Sequence, residues 1–329
     1  MDKSKIKNKK ILITGATGFI GSNITRYFLK ESIEVGVIFP EGDDLWRIND
    51  ILGKISIFTA DLRNKEQLNK AITSFKPHII FHAAIYGGHI FQKDVNRIMQ
   101  TNFLGTVNLL QACSQIDYEL FVNTGSSSEY GIKSLPMSED NLLEPATDYA
   151  VSKSAATLYA QALNRRENKP IVTLRLFSPF GYYDDNTRLI PSVILSCLKG
   201  DNPKVSTPKY VRDFIFIEDV IDAYVKVAEN KEKIKGEIFN IGSGKEYSIG
   251  GVVDKIIAVS KCKVNAKWGQ TPNSRLEPEV WQSDISKAHR LLGWKPKYSL
   301  EQGIEKTIDW FKSNAYLYNQ AVIENKTKS

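Results

Sequence analysis

What this 329-residue chain has little of narrows its chemistry first. It carries three cysteines, Cys113, Cys197 and Cys262, far apart and in no metal-ligand spacing. Neither a disulfide scaffold nor a thiolate metal site is written into it, and the cysteines read as reduced, partly buried thiols. No apolar run approaches the length of a membrane span, and the apolar stretch near the N-terminus is broken by glycines too soon to serve as a signal segment. Low-complexity tracts and internal repeats are also lacking. A cytoplasmic protein with no metal and no membrane partner is the expectation.

Acidic excess is lacking too: 44 Lys and Arg face 37 Asp and Glu, a net charge of +7. Five lysines fall within the first ten residues and the rest are spread along the chain, which reads as a solvated basic tail. No nucleic-acid partner is expected, whereas a modest positive excess suits a small, doubly anionic ligand. A hydrophobic share of 42% and a charged share of 25% are those of an ordinary globular protein, long enough for a main domain and a smaller companion.

What is present is organised around Lys10-Ile-Leu-Ile-Thr-Gly-Ala-Thr-Gly-Phe-Ile-Gly21. An apolar strand breaks into glycines at 15, 18 and 21, then continues with Phe19, Ile20, Ile24, Tyr27 and Phe28 at helical spacing. Gly15 permits a sharp turn, Gly18 lets backbone N–H groups approach a pyrophosphate, and Gly21 lets the helix pack against the strand. The helix N-terminus then faces the phosphates of a dinucleotide. Residues 35–39 form a second strand whose end meets the adenosine ribose. Phe39 and Pro40 stand where an NAD site commonly has an acid; Glu41, Asp43 and Asp44 follow late, and Arg47 is the nearest cation for a 2′-phosphate. On the residues alone, NAD and NADP both stay open.

A third strand, 55–59, ends at Asp61, which either meets the adenine edge or precedes the helix that Asn64 begins and Phe75 ends. A fourth, 78–82, ends at His82, read as packed or hydrogen-bonded, before Ala83 and Ala84, small enough for a cofactor to pass close. Tyr86-Gly87-Gly88-His89 is a loop at the same sheet edge. A helix over 95–113 and a strand over 120–124 lead into Gly125-Ser126-Ser127-Ser128-Glu129-Tyr130-Gly131. Asp148 opens a helix on which Tyr149 and Lys153, four apart, share a face. An ammonium beside a phenol favours the phenolate, so Tyr149 can act as acid or base, and a serine hydroxyl can hold the reacting oxygen.

Beyond residue 171 strands alternate with helices (strands 171–177, 214–216 and 238–241; helices 190–199, 219–228 and 249–259), with two short helices at 285–292 and 300–311. Six strand–helix units before Phe177 predict an α/β protein: a Rossmann-type doubly wound parallel sheet with a smaller C-terminal α+β substrate lobe. The division placed on it is 1–177 for the dinucleotide, 178–318 for the substrate lobe with some strands returning to the main sheet, and a frayed tail at 319–329.

In its motifs the chain resembles the extended short-chain dehydrogenase/reductase superfamily, in its nucleotide-sugar epimerase/dehydratase branch. Those motifs are Thr14-Gly-Ala-Thr-Gly-Phe-Ile-Gly21, Phe81-His-Ala-Ala84, the serines ending in Tyr130-Gly131, Tyr149-x-x-x-Lys153, Arg175-Leu-Phe177, Arg212-Asp-Phe214, Phe239-Asn-Ile-Gly-Ser243 and Leu292-Gly-Trp-Lys-Pro296. The resemblance implies Ser126, Tyr149 and Lys153 as the catalytic set, Tyr149 exchanging the proton and Lys153 also holding the nicotinamide ribose. It implies a cofactor wall of Gly15, Thr17, Gly18, Phe19, Ile20, Gly21, Asp61, Leu62, His82, Ala83, Ala84, Asn102 and Phe177 with Tyr149 and Lys153. For the substrate, a nucleotide-diphosphate sugar, it implies Tyr86, Gly87, Ser127, Ser178, Arg188 and Leu189, with Arg212 and Arg275 gripping the diphosphate. Helices 95–113 and 148–168 correspond to those that form a homodimeric four-helix bundle in the family.

Departures from the family pattern narrow the reaction. Dehydratases place a Glu two residues before the Tyr-Gly pair; here Ser128 stands there and Glu129 is displaced by one, which turns its side chain elsewhere. Ser178 replaces a common asparagine, and Arg188 replaces the histidine that fucose synthase uses as a second acid. The Gly87-Gly88 loop resembles that of GDP-fucose synthase and CDP-abequose-type reductases. The function implied is therefore reduction of a nucleotide-linked 4-keto-6-deoxyhexose with NAD or NADP, leaning to NADP(H). A UDP-glucose-type 4-epimerase is the alternative, and 4,6-dehydration and a non-catalytic RNA-binding role are disfavoured.

Overall fold

The structure, a computed structural model, describes residues 6–89, 91–271 and 280–318. Arg275 and the tail at 319–329 lie outside the described residues.

The chain runs β1 (Lys10–Thr14), α1 (Phe19–Lys30), β2 (Glu34–Phe39), β3 (Ser56–Thr59), α2 (Lys65–Phe75), β4 (Ile79–His82), α3 (Val95–Ile98), α4 (Gly105–Cys113), β5 (Leu120–Ser126), α5 (Asp148–Glu167) and β6 (Ile171–Leu176). It continues through β7 (Pro179–Phe180), α6 (Leu189–Lys199), β8 (Val211–Arg212), β9 (Ile215–Phe216), α7 (Ile217–Asn230), β10 (Ile238–Ile241), β11 (Tyr247–Ser248), α8 (Ile249–Ser260), α9 (Ser286–Leu292) and α10 (Leu300–Asn314). The main sheet has the order β10-β6-β5-β4-β1-β2-β3, and its strands pair in parallel throughout. Its central strands are covered on both faces, which is why β4 and β6 are buried along their whole length and are mostly apolar, with His82 and Arg175 the large polar residues in them. Ile24 and Phe28 of α1 and Tyr224 of α7 pack on one face; Leu68 and Ile72 of α2, Leu109 of α4 and Leu163 of α5 pack on the other. This is the doubly wound Rossmann-type sheet that the sequence predicts.

Local structure departs from the sequence reading in three places. Between β2 and β3 the crossover is a 3-10 turn, Asn49–Lys54, so the second of the six expected strand–helix units has no α-helix. The helix expected over 95–113 is split by a π-helical turn, Met99–Leu104, between α3 and α4. Beyond β6, the strands β7, β8, β9 and β11 are two-residue pieces in small separate ladders, whereas β10 returns to the main sheet beside β6 as expected. The strand order reverses between β1 and β4, and that switch point opens a crevice at the carboxyl ends of the strands.

Candidate active site

A cleft of about 550 Å³ occupies that crevice. Its floor is the turn from β1 into α1. Gly15 has φ of +72°, and a Cβ there would stand 2.6 Å from the Ala84 backbone. A Cβ at Gly21 would stand 2.1 Å from the Gly15 carbonyl oxygen, so these two glycines let β1, α1 and the end of β4 close on one another. Gly18 differs: its added Cβ would meet only the Gly15 carbonyl, at 3.3 Å. It begins α1 without a side-chain cap, so the first-turn backbone at Phe19, Ile20 and Gly21 borders the cleft. A cradle closed by backbone at Gly15 and Gly21 and open at Gly18 fits a dinucleotide pyrophosphate at the dipole's positive end.

The ribose end of the cleft is lined by Phe39, Pro40, Asp43, Arg47, Asp61 and Arg63. Arg97 lines the cleft as well, its guanidinium 4.5 Å from the Tyr86 ring centre, and Arg63 and Arg47 are tied to protein groups. Arg63 forks onto the Asp61 carboxylate, with its Nε 3.0 Å from Oδ1 and Nη2 2.6 Å from Oδ2. Arg47 donates to the carbonyls of Tyr183 (2.8 Å) and Thr17 (3.2 Å) and lies over the Trp46 ring. The Thr17 hydroxyl donates to Asp43 (2.7 Å). Farther along, Asp184 is buried beside Arg188, and burial pushes its carboxyl up to about 7.

Under the cleft runs a chain of buried polar groups. His82 Nδ1 lies 2.7 Å from the Thr14 hydroxyl, and its Nε2 lies 2.8 Å from that of Thr106, which donates to the Asn102 carbonyl. Burial, reinforced by the charge of Lys153, pushes the imidazole down to about 3, so it stays neutral. Asn102 clamps Tyr86 from both sides, accepting from its N–H and donating to its carbonyl (2.8 Å each), and donates to the Ser152 hydroxyl (2.9 Å). This fixes the start of the glycine loop against α5.

At the other end, β5 delivers Ser126, in extended geometry, as the cap of a 3-10 turn, Ser127–Tyr130. Its Oγ lies 2.7 Å from that of Ser128 and accepts from the Ser128 N–H (3.2 Å). Tyr149 and Lys153 lie one turn apart on α5, Tyr149 half-buried and Lys153 1% exposed. Burial lowers the Lys153 ammonium to about 8, while Glu129 opposes the shift. Gly87, at φ of +89°, brings its loop against Tyr149: an added Cβ would sit 3.6 Å from the phenol ring. Such a set can hold a hydroxyl-bearing carbon and move its proton while a hydride is exchanged with a neighbour.

The residues singled out from sequence therefore fall into groups. Gly15, Thr17, Gly18, Phe19, Ile20, Gly21, Asp61, Leu62, Ala83, Ala84, Tyr86 and Arg188 line the one cleft. The side chains of His82 and Phe177 do not; His82 is bonded beneath it, and Phe177 is enclosed against Tyr130 and Met137. Ser126, Ser127, Tyr149, Lys153, Gly87, Ser178 and Leu189 are outside that lining: Ser126 ends β5, Ser127 begins the turn that packs on α5, Tyr149 and Lys153 lie near the start of α5, Gly87 meets Tyr149, Ser178 precedes β7 and Leu189 begins α6. Arg212 lies over the Trp281 ring at 5.1 Å, and that indole N–H donates to Ser127 (3.2 Å). Trp281 and the buried pair of Glu129 with Arg175 were missed from sequence. Arg175 stood in a quoted motif, but nothing local told that a carboxylate 46 residues away would meet it.

A family model described as the NAD dependent epimerase/dehydratase family matches residues 11–242. A UDP-glucose 4-epimerase of Lactobacillus helveticus is 26% identical over 330 residues, covering 93% of this chain and 98% of its own. A dTDP-glucose 4,6-dehydratase of Salmonella typhimurium is 26% identical, with 94% of each chain covered. Among solved structures, UDP-glucuronic acid 4-epimerase from Bacillus cereus, in complex with UDP-glucuronic acid and NAD, is 28% identical with a TM-score of 0.82, covering 92% of this chain and 99% of that one.

Proposed function

The chain belongs to the NAD dependent epimerase/dehydratase family, enzymes of the extended short-chain dehydrogenase/reductase type, and from that premise we propose that it inverts C4 of a nucleotide-activated hexose. Bound at the glycine turn, the nicotinamide dinucleotide supplies an acceptor and donor for one hydride. Tyr149 takes the proton of the 4-hydroxyl as the C4–H bond breaks, Ser126 holds the same oxygen, and Lys153 keeps the phenolate form accessible. With the keto sugar rotated, hydride would return to the opposite face of C4 and Tyr149 would return the proton to the 4-oxygen, so that no net oxidant is consumed.

The observation that carries this reading is the engagement of Arg63 and Arg47 at the ribose end. With Arg63 forked onto Asp61 and Arg47 tied to two carbonyls, neither is open to a 2′-phosphate, which favours NAD over NADP. This reverses the lean that the sequence suggested. Dehydration is disfavoured because Glu129 is fully buried against Arg175, and Ser128 occupies the place of a dehydratase glutamate. A second reading, net reduction of a 4-keto-6-deoxy sugar, draws on the Gly87-Gly88 loop lying against Tyr149.

Under the same proposal Arg212, stacked on Trp281, grips the diphosphate, and the substrate side of the site belongs to residues 178–318. A homodimer through α3, the π turn and α5 is supported by Val95, Leu104, Val151 and Leu158, which are 40–54% exposed there.

The deciding test is the mass of any small molecule released when freshly purified protein is acid-denatured. Near-stoichiometric NAD is expected. An empty site that binds added NADPH would replace epimerisation with the reductase reading.

A further inference from the structure

Glu129 is 0% exposed and makes contacts that no solvated carboxylate needs. One oxygen accepts from the backbone N–H of Ser126 (2.8 Å), closing a capping box with the Ser126 side chain. The other accepts from Arg175 Nε (2.9 Å) on β6, the guanidinium lying 4.6 Å from the Tyr130 ring centre. Tyr130 in turn donates to Asn240 (2.7 Å) on β10. The backbone is shaped to admit the pair: Gly125 and Arg175 are register partners, and a Cβ at Gly125 would stand 2.7 Å from the Glu129 carboxylate. A buried ion pair is costly to assemble, and a hydrophobic pair of similar volume serves stability as well. Such expense directly behind Ser126 calls for a role beyond packing.

We infer that Glu129 is a positioning residue for the C4 chemistry: its carboxylate fixes the backbone that presents Ser126 and provides the counter-charge behind the buried Lys153. The inference rests on the assignment of Ser126, Tyr149 and Lys153 to that chemistry. The turn that carries Glu129 packs against α5, which carries Tyr149 and Lys153. The charge that acts on Lys153 is that of Glu129, with Arg175 of β6 behind it, while His82 of β4 stays neutral. Glu139, near Tyr130, accepts from the Asn240 backbone (2.8 Å). Of these, Glu129 is the group whose charge favours the ammonium form of Lys153 against its burial. With Glu129 neutral, Lys153 would lose its proton at lower pH, and a neutral lysine no longer favours the tyrosinate.

The test reads Lys153 directly. In protein carrying lysine labelled with carbon-13 at Cε, the Lys153 resonance is assigned by its loss in Lys153→Met, and its titration is followed in the wild type and in Glu129→Gln. The wild-type midpoint is expected at about 8, and the Glu129→Gln midpoint about one unit or more lower. Where the wild type turns over a sugar nucleotide, the alkaline limb of its kcat profile should move down equally in Glu129→Gln, with KM little changed. A coincident midpoint in the two proteins overturns the inference. If Glu129→Gln does not fold, Glu129→Asp keeps the charge but withdraws it from Ser126 and Lys153. It should lose at least about tenfold in kcat and lower the Lys153 midpoint; leaving both unchanged overturns the inference. The resonance needs no substrate, so failure of the C4 reading and failure of this inference are separable.

Discussion

The cofactor end, which is the cleft, and the reaction end beside it are built from different materials. At the cofactor end the critical contacts are backbone: Gly15 and Gly21 bring chain against chain, and uncapped helix amides border the phosphate path. Among its charged side chains, Asp61 and Arg63 are part-exposed and pair with each other, and Arg47 is tied to backbone carbonyls. At the reaction end glycines at 87 and 125 make room, but buried charge does the positioning, with Lys153, Glu129 and Arg175 all 2% exposed or less. A backbone site tolerates changes of side chain but not an added Cβ. A site of buried charges tolerates small shifts of backbone but not a missing partner, because each desolvated ion leans on the next.

The sharpest break of the reaction end is Tyr149→Phe, which keeps the ring against the Gly87 loop and removes only the exchangeable proton. Turnover should fall about 10²- to 10⁴-fold while bound NAD is retained; unchanged turnover would remove Tyr149 from the chemistry. At the cofactor end the corresponding break is Gly21→Ala. A Cβ 2.1 Å from the Gly15 carbonyl leaves α1 no room, so a loss of about 3 kcal/mol or more is expected in urea unfolding, with NAD released. Gly18→Ala, whose Cβ meets one atom at 3.3 Å, should fold nearly normally. Equal losses in the two variants would mean that the turn is not the rigid backbone cradle described.

The same contrast explains what sequence could tell. The cofactor end was legible because backbone requirements are written locally: glycine spacing, one apolar strand and one amphipathic helix fall within 21 residues of one another. Tyr149 and Lys153 were legible for the same reason, being four apart on one helix. The Glu129 and Arg175 pair was not, because β5 and β6 become neighbours only after α5 has crossed over. Tyr130 and Asn240, 110 residues apart, meet by the same route. Two-residue strands such as β7 and β8 fall below any periodic signal, and a π turn keeps the apolar spacing of a helix closely enough to hide inside one.

Between the two ends lies His82, whose ring is held by Thr14 and Thr106, and its titration offers the mildest probe of the comparison. Burial holds its folded value near 3 against an unfolded value of about 6.5. The unfolded chain therefore takes up a proton that the folded chain refuses. The stability contributed by neutral His82 is complete above about pH 6.5 and drains away as pH falls toward 3, by about 2 kcal/mol at pH 5. Asp184 acts in the opposite sense: its folded value near 7 lies above the unfolded one, so its contribution is full below about pH 4 and is lost as pH rises through 7. Asp219, which burial raises to about 6, acts in the same sense as Asp184, so wild-type stability between pH 7 and 5 is a difference of opposed trends, and His82→Gln removes one of them. The variant should be less stable at pH 7, where a ring with two partners is lost, yet fall less steeply toward pH 5 in urea melts. Parallel slopes for variant and wild type would show that the imidazole takes up its proton without unfolding. The buried polar chain beneath the cleft would then be as forgiving as its cofactor end.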